Sequence, residues 1–195
     1  MNFAEAVRRS SSIRDEHKES LIHYLRKIPD FSWMLTRPNS VTDRLQGDFF
    51  GEFPVVYLKP DGSTASRKQT VMLINNTCDL PHGRSSFVTV APAFDFARYL
   101  QRQQGKKSAD AMMNHIRDLR HNQISELLYV PGVQGFDEGV IVRLDMMCSV
   151  AAEILDEAVC RDRRVASFSQ NGFYVLLTKL IHHLGRMESP DAQRN

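Results

Sequence analysis

The chain gathers its most reactive side chains in one short stretch, Asn75-Asn76-Thr77-Cys78-Asp79, with His82 and Arg84 close behind. A thiol beside a carboxylate, with an imidazole nearby, invites the roles of nucleophile, orienter and base. Partners of that kind normally converge from separate elements rather than from sequence neighbours. The reading adopted is therefore that Cys78 packs at a strand end, Asp79 caps the following turn and His82 is solvated. Asn75, Asn76, Thr77, Asp79, His82 and Arg84 instead offer the donors and acceptors of a recognition surface, for RNA bases or for a peptide backbone.

Loops held on a rigid scaffold carry a disproportionate share of function, and two apolar runs frame this one. Val71-Met72-Leu73-Ile74 precedes it; Phe87-Val88-Thr89-Val90-Ala91 follows and ends at Pro92. Such runs, bounded by Asn, Asp, Gly and Pro, predict neighbouring buried strands. Upstream, Gly47 to Leu58 reads as one long or two short strands ended by the turn Pro60-Asp61-Gly62. Downstream, Glu126 to Val130, closed by Pro131-Gly132, and Gly139 to Leu144 predict two more. Met146 to Leu155 suits either state: Met146, Cys148, Val150 and Ala152 alternate as in a strand, whereas Ala151 to Leu155 would also make a helix.

Three segments change to helical period. Ser12, followed by Glu16, Leu21, Ile22, Leu25 and Ile28, predicts a capped amphipathic helix over 13–27 that Pro29 closes. Phe31 to Leu35 carries the only tryptophan, Trp33, placed to pack that helix onto the body. Ala109, Met112, Met113, Ile116 and Leu119 behind Ser108 predict a helix over 108–121, with the methionines as core filler. The clearest is the last. Phe173, Leu176, Leu177, Leu180, Ile181 and Leu184 form a stripe between the capping Ser169 and the stop at Gly185.

At 195 residues and 42% hydrophobic, the composition predicts one domain of ordinary size or one domain with appendages. Cys78, Cys148 and Cys160 have neither the spacing of a disulfide framework nor that of a zinc site. His182 and His183 lack metal-ligand spacing, and Gly132, Gly135 and Gly139 match no phosphate loop, so neither metal nor cofactor is expected. With no secretory pattern at the N-terminus and no apolar run of about 18 residues, a soluble cytoplasmic protein without a membrane partner is predicted. The formal charge is only +2, but unevenly spread. Six Lys or Arg between Arg98 and Arg120 face only Asp110 and Asp118, whereas from Gln123 to Glu157 seven acids face Arg143 alone. A basic patch attracts phosphates, and the acidic stretch would repel them on a shared face, so the two are read as solvated surfaces that partly neutralise each other. Asp145 is expected to pair with Arg143 or to turn the backbone.

The order of a strand led by Gly47-Asp48, the Pro60-Asp61-Gly62 turn, an apolar strand ending in Asn75, and Val88-Thr89-Val90-Ala91-Pro92 resembles the PemK/MazF family of toxin ribonucleases. The resemblance covers about Gly47 to Leu155, with Val140 to Val150 similar to the family's final strands, and it implies an SH3-like barrel. The family's basic residue, usually Arg-Pro, precedes the strand corresponding to Val71 to Ile74; here Lys68-Gln69 stands there. A Ser or Thr follows the family's Ala-Pro by one residue; here the position is Phe94. Lys68 keeps a charge without the bidentate fork of Arg, and Phe94 has no titratable group.

The expected architecture is thus α+β: a mainly antiparallel SH3-like β-barrel with an N-terminal helix, an inserted helix and a C-terminal amphipathic helix. An N-terminal helical extension spans 1–46, the barrel 47–157 with its insertion near 108–121, the C-terminal helix packed on the barrel 158–186, and a tail 187–195. The leading function is a PemK/MazF-like binding module of a toxin–antitoxin or defence system, recognising RNA or a partner protein at the Asn75 to Arg84 edge and compatible with a homodimer. The alternatives are a divergent endoribonuclease using Lys68 with Thr77, Asp79 or His82, and a cysteine-dependent hydrolase built on Cys78.

Overall fold

Alternation along three strands decides the architecture, because successive side chains of a strand point to opposite faces. The structure, a computed structural model, describes residues 3–10, 13–26, 33–36, 44–81 and 83–185. In β2 (Phe49–Leu58), β3 (Thr64–Leu73) and β4 (Phe87–Asp95), Phe49, Met72, Ala91 and Ala93 enter one apolar cluster. Phe50, Val71, Leu73, Val88 and Val90 enter a second. Both faces are therefore buried. α1 (Phe3–Arg9), α2 (Asp15–Leu25) and α6 (Gln170–Leu184) supply Val7, Leu21, Ile22 and Leu176 to the first cluster. α5 (Ala152–Cys160) covers the second with Leu155, Ala158 and Val159.

With β1 (Leu35–Thr36), β5 (Leu127–Val130), β6 (Val140–Arg143), β7 (Cys148–Ala151) and β8 (Arg164–Phe168), the strands trace an open path β1-β8-β2-β3-β4-β6-β5, and β7 also pairs with β4. Every pairing is antiparallel. The described residues thus form an α+β protein with an eight-stranded antiparallel sheet and six α-helices, and no helix among them is long and apolar enough to cross a membrane.

The strand expected to stop at Pro92 continues to Asp95. On one edge β4 pairs with β7 as far as Val90 and with β6 from Ala93 onward. Pro92, which has no N–H to give a ladder, falls in the gap between those partners, where a 3-10 turn at Leu144–Met146 links β6 to β7. The segment that suited both states uses both in turn, as β7 and then α5.

Local signals located two of the helices well, while α1 and the short helix at Phe96–Gln101 went unpredicted. Ser108 accepts from the Ala111 amide and opens α4 (Ala109–Arg120); Ser169 accepts from the Gly172 amide and opens α6, which ends at Gly185. Trp33 packs on the N-terminal helix, its ring 5.4 Å from that of Tyr24. That helix begins at Asp15 with Arg14 at its cap and no side-chain capping bond; Ser12, Pro29, Phe31, Ser32 and the tail 187–195 lie outside the described residues. The segment 158–186 holds more than a helix, since β8 returns there to pair with β2 and β1.

The buried face of α6 is rotated from the expected stripe. Gly172, Val175, Leu176 and Lys179 face inward, while Ile181 and Leu184 are exposed. Lys179 is fully buried, and its ammonium donates to the carbonyl of Asn122 at 2.7 Å and to that of Ile124. These carbonyls lie just past α4, where Asn122 also clamps the Tyr129 amide and carbonyl through its side chain.

Candidate functional site

One open cleft of about 770 Å³ forms where the middle strands, a short helix and the β5–β6 connection meet. β3 contributes Arg67, Lys68, Gln69 and Thr70, and β4 contributes Ala93, Phe94 and Asp95. At the end of β4 the Asp95 carboxylate accepts from the Arg98 amide at 2.7 Å and caps α3 (Phe96–Gln101). Phe96 is fully buried, with its ring 4.9 Å from that of Tyr129. Fixed at that end, α3 and the turn after it bring Arg98, Tyr99, Arg102 and Lys106 to the cleft. The β5–β6 connection adds Gln134, Gly135 and Phe136, and its turn closes with the Gly139 amide donating to the Phe136 carbonyl at 3.1 Å. Gly139 has φ +86°, and a Cβ there would lie 2.4 Å from the Val130 carbonyl oxygen, so only glycine fits this return.

Six cations line the cleft, Arg67, Lys68, Arg98, Arg102, Lys106 and Arg143, against two acids, Glu52 and Asp95. Asp95 is already a helix cap. Among the described residues Lys68, Arg98, Arg102 and Lys106 take part in no ion pair. Arg143 is held by Asp145 in a two-point bridge, Nε donating at 2.7 Å. The hydrogen bond from Arg143 depresses the Asp145 carboxyl, and the same bond keeps the guanidinium charged.

The acidic stretch does not oppose this cleft. Its contribution to the lining is Gln134, Gly135, Phe136, Arg143 and Met146, with no carboxylate. Glu138 lies near Arg120, Asp156 pairs with Arg44, and Glu157 pairs with Arg161 and Arg163. The expected neutralisation between the basic and acidic stretches therefore applies to Arg120, which faces Glu138; Arg117 pairs within its own stretch with Asp118, and Arg98, Arg102 and Lys106 are left out.

Aromatic groups border the cations. The Arg67 guanidinium carbon lies 4.8 Å from the Tyr57 ring centroid and 5.2 Å from that of Phe94, a geometry for cation–π attraction with both. Tyr99 is hydrogen-bonded to His115 Nε2 at 3.2 Å. Burial raises the Tyr99 pKa and, with Lys107, lowers that of His115, so the pair is neutral near pH 7. Glu52 sits at a bulge in β2, between Phe50 and Phe53, with φ +52°. A non-glycine residue in that region costs about 1–3 kcal/mol, and the bulge turns an acid toward the cleft rim.

The 75–84 stretch is organised differently. Asn75 Oδ1 accepts from the Thr89 amide, Asn76 Oδ1 from the Cys78 amide at 3.0 Å, and Thr77 Oγ1 from the Gln46 amide at 3.0 Å. Arg84 donates to the Cys78 carbonyl at 2.6 Å. Cys78 and Asp79 lie in a 3-10 turn at Thr77–Asp79; Cys78 is an exposed free thiol rather than a packed one, because the turn faces outward beyond the end of β3. His82 lies outside the described residues. None of Asn75, Asn76, Thr77, Cys78, Asp79 or Arg84 lines the cleft, whereas Lys68 and Phe94 both do. Among the described residues, no group of three or more His, Cys, Asp or Glu is placed to hold a metal ion.

Most of the cleft was hidden in the sequence. One signal was present: Arg98, Arg102 and Lys106 recur every four residues, the spacing that puts side chains on one side of a helical turn. Among known proteins, neither the protein-family models nor the curated proteins contain a match to this chain.

Proposed function

We propose that the cleft binds the backbone of single-stranded RNA, making the protein an RNA-recognition module with an SH3-like, PemK/MazF-like core. The observation that carries this reading is the cluster of six cations against two acids in one open cleft, with all but Arg143 outside any ion pair among the described residues. Such a surface gains affinity for a polyanion by releasing its counterions. Aromatic rings beside the cations favour a single strand, whose bases are free to stack, over a duplex. Support for the core comes from the β2-β3-β4 order, from the 3-10 break between β6 and β7, and from Lys68 and Phe94 lying on the same cleft. Phe94 supplies no hydroxyl, so recognition rather than cleavage is the activity proposed. A cytoplasmic toxin–antitoxin or defence setting belongs to the same proposal and rests on the sequence resemblance.

Fluorescence anisotropy of a labelled single-stranded RNA of twelve nucleotides tests it. At 50 mM salt the protein should bind, and replacing Arg98, Arg102 and Lys106 together by Ala should weaken binding about a hundredfold. The melting temperature should barely move, since exposed charges contribute little to stability. Failure of the parent protein to bind, or full affinity in the triple variant, would refute the reading.

A further inference from the structure

The ladder of Tyr57, Arg67 and Phe94 has no counterpart elsewhere among the described residues: one guanidinium lies against two rings, at 4.8 and 5.2 Å. Tyr57 and Phe94 are half-buried, Arg67 is exposed, and Arg67 and Phe94 both line the cleft. Arg67 is in no ion pair among the described residues, and its contact with the Tyr57 hydroxyl is long, at 3.4 Å. The flanking rings, rather than a carboxylate, therefore set where this cation sits. A planar cation fixed beside a ring, within a cleft lined by cations, is the kind of surface on which unpaired bases stack. The register brings it there: Arg67 lies opposite Val55 on β2, and Phe94 extends from the stretch of β4 that pairs with β6.

We propose that the Arg67–Phe94 end of this ladder is a stacking subsite for one unpaired base of an RNA whose phosphates lie along Arg98, Arg102 and Lys106. This rests on the RNA-binding reading and adds base contact to it. A ladder that merely clasped the β2–β3 hairpin would serve stability alone. A stacking subsite instead distinguishes nucleic acid carrying bases from the same backbone without them.

The test compares a uridine dodecamer with an abasic ribose-phosphate dodecamer of equal length, each titrated by anisotropy into the full chain. Phe94→Ala should weaken uridine binding roughly tenfold, the effect of losing one stacked base, and weaken abasic binding far less. Phe94→Trp should keep or improve uridine affinity. Phe94→Leu retains apolar bulk without a π-face; it should lose affinity as Phe94→Ala does, and it stands in should the alanine variant not fold. Equal losses on both oligomers, or unchanged uridine binding in both the Ala and Leu variants, would overturn the subsite while leaving backbone binding intact. Failure of the parent protein to bind either oligomer would remove the RNA reading and the subsite together.

Discussion

The cleft and the corner formed by residues 45–48 with 74–80 are both rich in polar groups, yet they use them in opposite ways. At the corner polar atoms bind one another. The Asp48 carboxylate is fully buried, accepts from the Ser167 hydroxyl at 2.6 Å and the Leu45 amide at 2.9 Å, and lies 3.3 Å from Arg164 Nε. Gln46 donates to the carbonyl of Ile74 and to Thr77 Oγ1. Gly47 has φ +91°, and a Cβ there would lie 2.4 Å from the Phe168 ring. In the cleft, by contrast, Lys68, Arg98, Arg102 and Lys106 point at solvent with no carboxylate in ion-pair range among the described residues. From Lys68 to Asn75 the chain climbs about 20 Å at strand rise, so the two regions are separate surfaces. Polar composition in a sequence therefore says little about ligand binding until it is known which polar groups already have protein partners.

The sharpest way to break the corner is Asp48→Ala. It removes the carboxylate beside the buried Arg164 side chain and the acceptor of both the Ser167 hydroxyl and the Leu45 amide, a change that should cost about 3–5 kcal/mol. Urea unfolding should show that loss in the midpoint. A variant within 1 kcal/mol of the parent would mean that the corner does not depend on the buried charge.

A smaller effect is expected at the buried Lys179. Lys179→Met leaves the Asn122 carbonyl without its Lys179 donor and takes one of two donors from the Ile124 carbonyl, which still accepts from the Leu127 amide at 3.2 Å, and should cost about 2 kcal/mol. The pH dependence is the more specific sign. Burial, opposed by Glu126, holds the Lys179 ammonium down to about 7 from an ordinary 10.5. Between those values the unfolded chain binds the extra proton, so stability rises with pH from about 7 toward 10.5 and the gain is lost as pH falls through 7. Burial raises Tyr99 and Tyr129, which reverses the trend near the top of that window. Melting temperatures at pH 6.5, 8 and 9.5 should rise in the parent relative to Lys179→Met. Parallel curves would show that Lys179 stays charged.

The smallest effect belongs to the loop. Asn75→Ala removes the acceptor of the part-buried Thr89 amide and should cost about 1 kcal/mol with RNA affinity unchanged. A large drop in RNA affinity would return recognition to the Asn75 to Arg84 edge.

The legible features were those written locally. Caps at Ser108 and Ser169 and the Gly185 stop located two helices to within a residue or two, because an orphan amide is satisfied by the nearest hydroxyl. The strands with apolar runs were equally readable; β8, Arg164–Phe168, has no such run and was missed. The cleft was not, because it is assembled from positions spread between Gly51 and Val165 on nine elements and connections, each an ordinary surface residue until the sheet brings them together. Lys179 illustrates the same limit. A lysine in an apolar stripe reads as the polar side of a helix, and the two carbonyls after α4 that help to satisfy it when buried are invisible in the sequence.

The central claim is that the cleft, not the loop, meets a phosphate backbone, and the salt dependence of RNA binding measures it most directly. For a single strand the logarithm of affinity falls against the logarithm of salt by roughly 0.7 per phosphate neutralised. Replacing Arg98, Arg102 and Lys106 by Ala should therefore reduce the slope by about 2, while Arg84→Ala leaves it unchanged. An unchanged slope in the triple variant, with a reduced slope in Arg84→Ala, would contradict the claim and move the RNA site to the loop.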